Sequence, residues 1–261
     1  MGFSMITVDT RGGVSRICLN RPEKRNALCP QLMEELIEAF EGAERDPHCA
    51  VVLLSGAGSA FCAGLDLEHL QSLEHKSPSE HYADSAAIAA LFVALRDCDK
   101  PTIAAVDGAA IAGGCGLATL CDFTLATSRA KFGYTEVRIG FIPAIVSGFL
   151  RAQLGEKQAR DLLLSGRILD AVEAHSLGLV SRIVEEEELL PVAESLAAQL
   201  LKNSPTAMAA TKRLLRSQTS AADRVQMELA VRANAEARAT EDFREGIRSF
   251  LEKRTPVWPS L

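Results

Sequence analysis

The chain has no run of about 18 apolar residues, which excludes a membrane-spanning helix of ordinary length. Its first residues, MGFSMITVDTRGG, lack the apolar stretch that a secretory leader needs, so a cytoplasmic protein is expected. Basic charge is in deficit. The 28 Lys and Arg against 34 Asp and Glu leave a net charge of −6, which argues against nucleic acid as the main partner. A local basic patch for a small anionic ligand remains compatible with that total. There is no CxxC pair. The seven cysteines (Cys18, Cys29, Cys49, Cys62, Cys98, Cys115 and Cys121) are odd in number, and several lie in apolar runs. That suits reduced thiols used as small hydrophobes. Cys115 and Cys121 lack the nearby His that a zinc site would need, so no metal is expected. No repeat of fixed period and no low-complexity tract occurs.

What is present fits one large soluble domain, or a domain with an appendage: 261 residues, 48% hydrophobic and 24% charged. ITVDTRGGVSRICLN reads as two short strands around Arg11-Gly12-Gly13. RPEKRNALCP is a basic loop in which Pro30 is placed to open a helix. Leu32, Leu36, Ile37 and Phe40 keep helical spacing, so a helix is expected over 30–44. AVVLLS, from Ala50 to Ser55, is the continuous apolar run of a strand buried on both faces. A short helix over 65–73, a loop over 74–78, a helix over 85–96 and a buried strand over 102–106 follow. Strand and helix alternate, which predicts an α/β architecture with parallel strands.

After about Pro143 the chain turns helical, over 146–154, 157–165, 171–177, 186–202, 205–216 and 221–253. Glu185 to Glu188 reads as a solvated helix start. The section from Ser204 onward is the one candidate sub-domain. It is too short to hold a core alone, so packing on another subunit is expected.

Two glycine-rich turns carry the chemistry. SAFCAGLDL follows the strand 50–55, and Gly64 lets the backbone approach a ligand, with the N–H of Leu65 pointing outward. Ala112-Gly113-Gly114-Cys115-Gly116 follows the strand 102–106 and opens a helix, whose first N–H groups have no internal partner and form the positive end of the dipole, where negative charge is favoured. Two such N–H groups on adjacent loops suit an enolate oxygen. Each turn alone reads first as a packing device, because Gly-rich turns are common; together, in this order and spacing, they favour a site.

AFCAGLDL and GGCGLATLCD, followed by AKFGYTEVRIGFIPA and LLLSGRILDAVEAHSLGLVSRIV, resemble the enoyl-CoA hydratase/isomerase (crotonase) superfamily. LNRPEKRNAL and FLEKRTP look like that family too, so the resemblance covers nearly the whole chain. It implies a crotonase-like spiral of ββα units over 1–203, for acyl-CoA binding and catalysis. It also implies a helical C-terminal trimerisation region over 204–261, in a homotrimer or a hexamer made of two trimers. Acyl-coenzyme A thioesters would be the substrates, with coenzyme A part of the substrate and no separate cofactor. The implied oxyanion hole is the N–H of Leu65 and the N–H of Gly113, and Glu136 matches the family carboxylate that moves protons or activates water. Lys24, Arg25, Ala27 and Leu28, with Ala63 and Asp66, would surround the nucleotide of coenzyme A, Gly114 and Gly116 would lie along the acyl group, and Phe250 and Lys253 would reach a neighbouring subunit's pocket. A solvated basic loop is the other reading of Lys24 and Arg25, and helix packing that of Phe250.

The sequence departs from the two-acid hydratase pattern. The second glutamate would stand three residues after Gly113, where this chain has Gly116. One acid is left, as in 3,2-enoyl-CoA isomerases and in some hydratases of branched or carboxylated enoyl-CoAs. GFIPAIVS together with Gly116 looks more like methylglutaconyl-CoA-type hydratases, with Gly116 leaving room near C3 of the acyl group. Ala144 stands where the dienoyl-CoA isomerase and dehalogenase patterns carry an aspartate, which disfavours both. The expected activity is therefore a lyase reaction, hydration of a 2-enoyl-CoA. A 3,2-enoyl-CoA isomerase and a non-catalytic acyl-CoA-binding or RNA-binding family member are the alternatives. His69 and Tyr134 are candidates for the acyl pocket or for structure, and Asp122 reads as a structural hydrogen-bonding residue.

Overall fold

A computed structural model describes residues 2–218 and 220–259. The strands are β1 (Ile6–Arg11), β2 (Val14–Leu19), β3 (Val51–Gly56), β4 (Ala60–Cys62), β5 (Thr102–Val106), β6 (Ala109–Ile111), β7 (Phe123–Thr127), β8 (Lys131–Gly133), β9 (Leu169–Asp170) and β10 (Arg182–Val184). The helices are α1 (Pro30–Arg45), α2 (Leu67–Ser72), α3 (Pro78–Asp97), α4 (Gly113–Leu120), α5 (Ala144–Leu154), α6 (Glu156–Ser165), α7 (Ala171–Ser176), α8 (Leu189–Leu200), α9 (Pro205–Ser217), α10 (Ser220–Ala237) and α11 (Glu241–Leu251).

Two sheets divide the strands. The larger runs β1-β2-β3-β5-β7-β10, antiparallel only between β1 and β2; the smaller runs β4-β6-β8-β9, antiparallel only between β8 and β9. Three strands of the first sheet are each followed by a short one of the second and then by helix: β3-β4, β5-β6 and β7-β8. This is a spiral of ββα units, the α/β class expected from the sequence.

The central strands are apolar throughout because both of their faces are covered. Val51, Leu53, Ile103 and Ala105 pack under α8 with Leu189, Ala193 and Ala197. Val52, Leu54, Ala104 and Val106 alternate with them and point into the main core, with Leu36 and Phe40 of α1 and Leu91 and Phe92 of α3. Five of the seven cysteines are buried and all are free. Burial pushes the thiols of Cys62, Cys98, Cys115 and Cys121 up to about 12, so they are protonated at neutral pH.

Two expectations need correction. The stretch 74–78 is not all loop: Ser77 and Glu80 form a reciprocal capping box and Pro78 is the first residue of α3. The single helix expected over 221–253 is two. α10 ends at Ala237, and Thr240 restarts the chain by accepting the Phe243 N–H with its hydroxyl.

That break folds α11 back across its own chain. Phe243 and Ile247 pack with Leu70, Leu73 and Phe141, and the rings of Phe141 and Phe243 lie 5.1 Å apart. Val231 of α10 joins the main core. No described helix is long and apolar enough to cross a membrane.

Candidate active site

The site grows from the C-terminal ends of β4 and β6. After β4 the chain runs beside Leu28: the Leu28 N–H donates to the Gly64 carbonyl (2.7 Å) and the Asp66 N–H donates to the Leu28 carbonyl (2.9 Å). A parallel bridge of this kind uses the flanks of Leu65, so the N–H of Leu65 itself faces the other way. Gly64 makes the turn at φ +90°, a conformation that a side chain strains.

The second loop meets the first there. Ala112 adopts φ 51° and ψ −123° just before α4, a conformation rare for a residue with a Cβ. It swings the first N–H of the helix, that of Gly113, to the same side. A Cβ on Gly64 would lie 3.6 Å from the Gly113 nitrogen. Leu65 and Gly113 both line one cavity of about 150 Å³.

Glu136 lines the same cavity. It starts a tight turn over Glu136–Ile139 that ends at Gly140 in the left-handed region. The turn is clamped by α11: a Cβ on Gly140 would meet the Asp242 carbonyl oxygen at 2.1 Å, and one on Gly246 would meet that of Ile139 at 2.1 Å. The carboxyl is buried, and its Oε2 has no hydrogen-bond partner among the described residues. Burial among apolar side chains pushes Glu136 up to about 7, with its own backbone N–H pulling weakly the other way. A carboxyl with that affinity gives up and takes back a proton with equal ease at neutral pH. The rest of the wall is mostly apolar, including Ile88, Phe92, Phe141 and Ile145.

The other sequence candidates divide. Leu28 and Ala63 line the cavity. Ala27 is buried beside them. Lys24 and Arg25 are exposed and outside the cavity lining, Lys24 paired with Glu68 at 2.5 Å. The carboxylate of Asp66 is engaged: it accepts from Arg21 at 2.6 Å and caps α2 through the Glu68 N–H. Gly114 serves close packing, since a Cβ there would meet the Cys62 carbonyl oxygen at 2.2 Å.

The room expected at Gly116 is not there. A Cβ on Gly116 would stand 2.6 Å from Val146 Cγ1 and 2.8 Å from Phe92 Cε1, so these side chains already fill the space. Phe250 lines the cavity of its own chain, where α11 folds back over the Glu136 turn, and stays half exposed. Lys253 is exposed beyond α11 and is not among the lining residues. Tyr134 is buried with its hydroxyl 2.9 Å from that of Thr119, and Asp122 holds the backbone and side chain of Thr102; both are structural. His69 contacts Asp84 at 2.6 Å rather than the cavity.

Sequence reasoning missed two elements of the site. Asn26, fully buried, ties three carbonyls (Ala57, Ala60 and Phe61) to the loop beside the cavity through its side-chain amide. Asn234 lines the cavity from α10, some 100 positions beyond Glu136 in the chain. Its only signal was a polar residue on a helix expected to pack elsewhere.

Leu65 and Gly113 share an apolar cavity with the buried Glu136 carboxyl, an arrangement chemically able to move a proton next to a developing oxyanion. The enoyl-CoA hydratase/isomerase family model matches residues 9–260. The chain therefore belongs to the enoyl-CoA hydratase/isomerase family. It is 44% identical over 252 residues to a Thermus thermophilus protein named "Putative enoyl-CoA hydratase", covering 97% of this chain and 99% of that one. It is 33% identical over 261 residues to the "Crotonyl-CoA hydratase" of Syntrophomonas wolfei, with 97% of each covered. The crystal structure of an enoyl-CoA hydratase/isomerase from Pseudoalteromonas atlantica superposes with a TM-score of 0.88 at 32% identity, over 98% of this chain and 100% of that one.

Proposed function

We propose that this enzyme adds water across the double bond of a 2-enoyl-CoA, with Glu136 as its single acid/base. The thioester oxygen sits between the N–H groups of Leu65 and Gly113. Ionised Glu136 takes a proton from water as the water oxygen bonds to C3. The double-bond electrons move through C2 onto the thioester oxygen, where the two N–H groups hold the enolate charge. Glu136 then returns its proton to C2, and the 3-hydroxyacyl-CoA leaves with the net gain of one water. The observation that carries this reading is the buried, unpartnered Glu136 carboxyl sharing a cavity with Leu65 and Gly113.

Leu28 and Ala63 line the inner end of the coenzyme A path, and Lys24 and Arg25 lie where phosphates would pass. Arg and Lys suit phosphate oxygens, although Lys24 must first leave Glu68. Coenzyme A is part of the substrate, and the scheme calls on no further cofactor. A branched or carboxylated acyl group, as in methylglutaconyl-CoA, remains the favoured substrate, on the resemblance of GFIPAIVS rather than on room at Gly116. The expected state is a homotrimer or a dimer of trimers in the cytoplasm. The apolar side chains of Leu214, Leu215, Val225 and Leu229 are exposed on α9 and α10, and association would cover them.

A panel of crotonyl-CoA, 3-methylglutaconyl-CoA, 3-methylcrotonyl-CoA and a 3-enoyl-CoA, with products identified by mass spectrometry, tests the reading. A gain of one water on a 2-enoyl-CoA supports it. A double-bond shift without change of mass establishes the isomerase instead, and turnover of none removes the claim.

A further inference from the structure

Asn234 is 3% exposed and lines the cavity. Its Oδ1 accepts from the Ser85 hydroxyl (2.8 Å) and from Nη2 of Arg238 (3.1 Å). A guanidinium can only donate, so the oxygen of the amide must face Arg238 and the NH₂ must face away. Among the described residues that NH₂ donates to nothing. Open to the cavity, that nitrogen is free to donate to an oxygen of a ligand. The amide is also held rigidly. Arg238 is fully buried and paired with Asp84, which His69 contacts in turn.

Its position along the pocket follows from α3. Phe92 lies against the oxyanion end, 3.8 Å from where a Cβ on Gly113 would be. Ser85, which holds Asn234, is seven residues earlier on the same helix, roughly 10 Å along its axis. C3 of an enoyl group lies much nearer the thioester oxygen than that, so Asn234 faces the far end of the acyl chain rather than the attacking water.

We propose that Asn234 is a specificity-determining residue that donates its side-chain N–H to an oxygen acceptor at the distal end of the acyl chain, about four to five carbons from the thioester. This rests on the reading of the cavity as an acyl-CoA site. A terminal carboxylate and a neutral terminal carbonyl are the two sources of such an acceptor.

The test is binding, which does not depend on turnover. Dissociation constants of glutaryl-CoA, its monomethyl ester and butyryl-CoA are measured by calorimetry with the wild type, Asn234→Asp and Asn234→Leu. The wild type should prefer glutaryl-CoA or its ester to butyryl-CoA by at least tenfold. Preference for the acid alone identifies a carboxylate, and equal preference for the ester a neutral carbonyl. Both variants should cut that preference at least tenfold. Asn234→Asp keeps an oxygen towards Arg238 and should repel the free acid most. A wild type that favours butyryl-CoA, or variants that weaken all three ligands in parallel, would overturn the proposal. Failure of the wild type to bind any of the three would instead count against the acyl-CoA reading of the cavity, and this proposal would fall with it.

Discussion

Gly64 and Ala112 touch: a Cβ on the glycine would stand 2.9 Å from the Cβ of the alanine and 2.9 Å from the Ile111 carbonyl oxygen. This contact sets the spacing of the two loops whose N–H groups face the cavity. Gly64→Ala should therefore push them apart and also strain φ +90°. Turnover should fall by about 10²–10³, the usual cost of a lost oxyanion donor, with a stability loss of about 1–3 kcal/mol. Steady-state kinetics and thermal unfolding of the one variant check both. Unchanged turnover would remove this role for the contact.

Gly116 should behave as a packing residue. Gly116→Leu drives a side chain into Val146 and Phe92, and overpacking of this kind costs about 1–3 kcal/mol. A lowered unfolding temperature is the expected outcome. Because Phe92 also abuts Gly113, activity should drop on branched and unbranched substrates alike. A selective loss on branched substrates would restore the idea that Gly116 shapes the acyl pocket.

The Asp84–Arg238 pair supports the cavity from behind. Removing one partner leaves a buried charge alone, so Asp84→Asn should cost about 3–5 kcal/mol, and the double change Asp84→Leu with Arg238→Leu should cost less than either single change. Burial raises the Asp84 pKa, but the hydrogen bond to His69 and the charge of Arg238 outweigh it and hold the carboxyl below its ordinary range. A depressed carboxylate stabilises the fold above its unfolded pKa, and that contribution is lost as pH falls through the folded value. Acid unfolding should therefore begin at higher pH in Asp84→Asn than in the wild type, as circular dichroism across pH 2–5 can show.

Glu136 has the opposite sign. Its folded pKa of about 7 lies above the unfolded value, so its contribution is present in acid and is lost as pH rises through 7. Chemical denaturation at pH 5 and pH 8 should show the wild type losing on the order of 3 kcal/mol relative to Glu136→Gln. Parallel behaviour of the two proteins would mean that the carboxyl is not desolvated.

The long strands were legible because burial on both faces writes an unbroken apolar run, as in Val51–Leu54. Helix starts were legible where Pro30 and Pro205 mark them. Leu65, Gly113 and Glu136 were legible through motifs in a fixed order. The three-residue strands β4, β6 and β8 were not, since three residues cannot show a period of two. Nor was the stop after Ala237, which lacks the Gly or Pro that usually ends a helix and depends on the Thr240 cap. Asn234 and Phe250 enter the cavity only because α10 and α11 fold back over the earlier units. Local pattern carries no trace of that return.

The central claim is that one buried carboxyl does the proton work, and the pH profile of crotonyl-CoA hydration tests it most directly. For the wild type, kcat/KM should rise with pH and level off through an inflection near 7, as Glu136 ionises into its base form. Glu136→Gln should lose about 10²–10⁴ in rate and the inflection with it. A variant that hydrates within tenfold of the wild type, or that keeps the same inflection, would contradict the assignment of Glu136 as the acid/base.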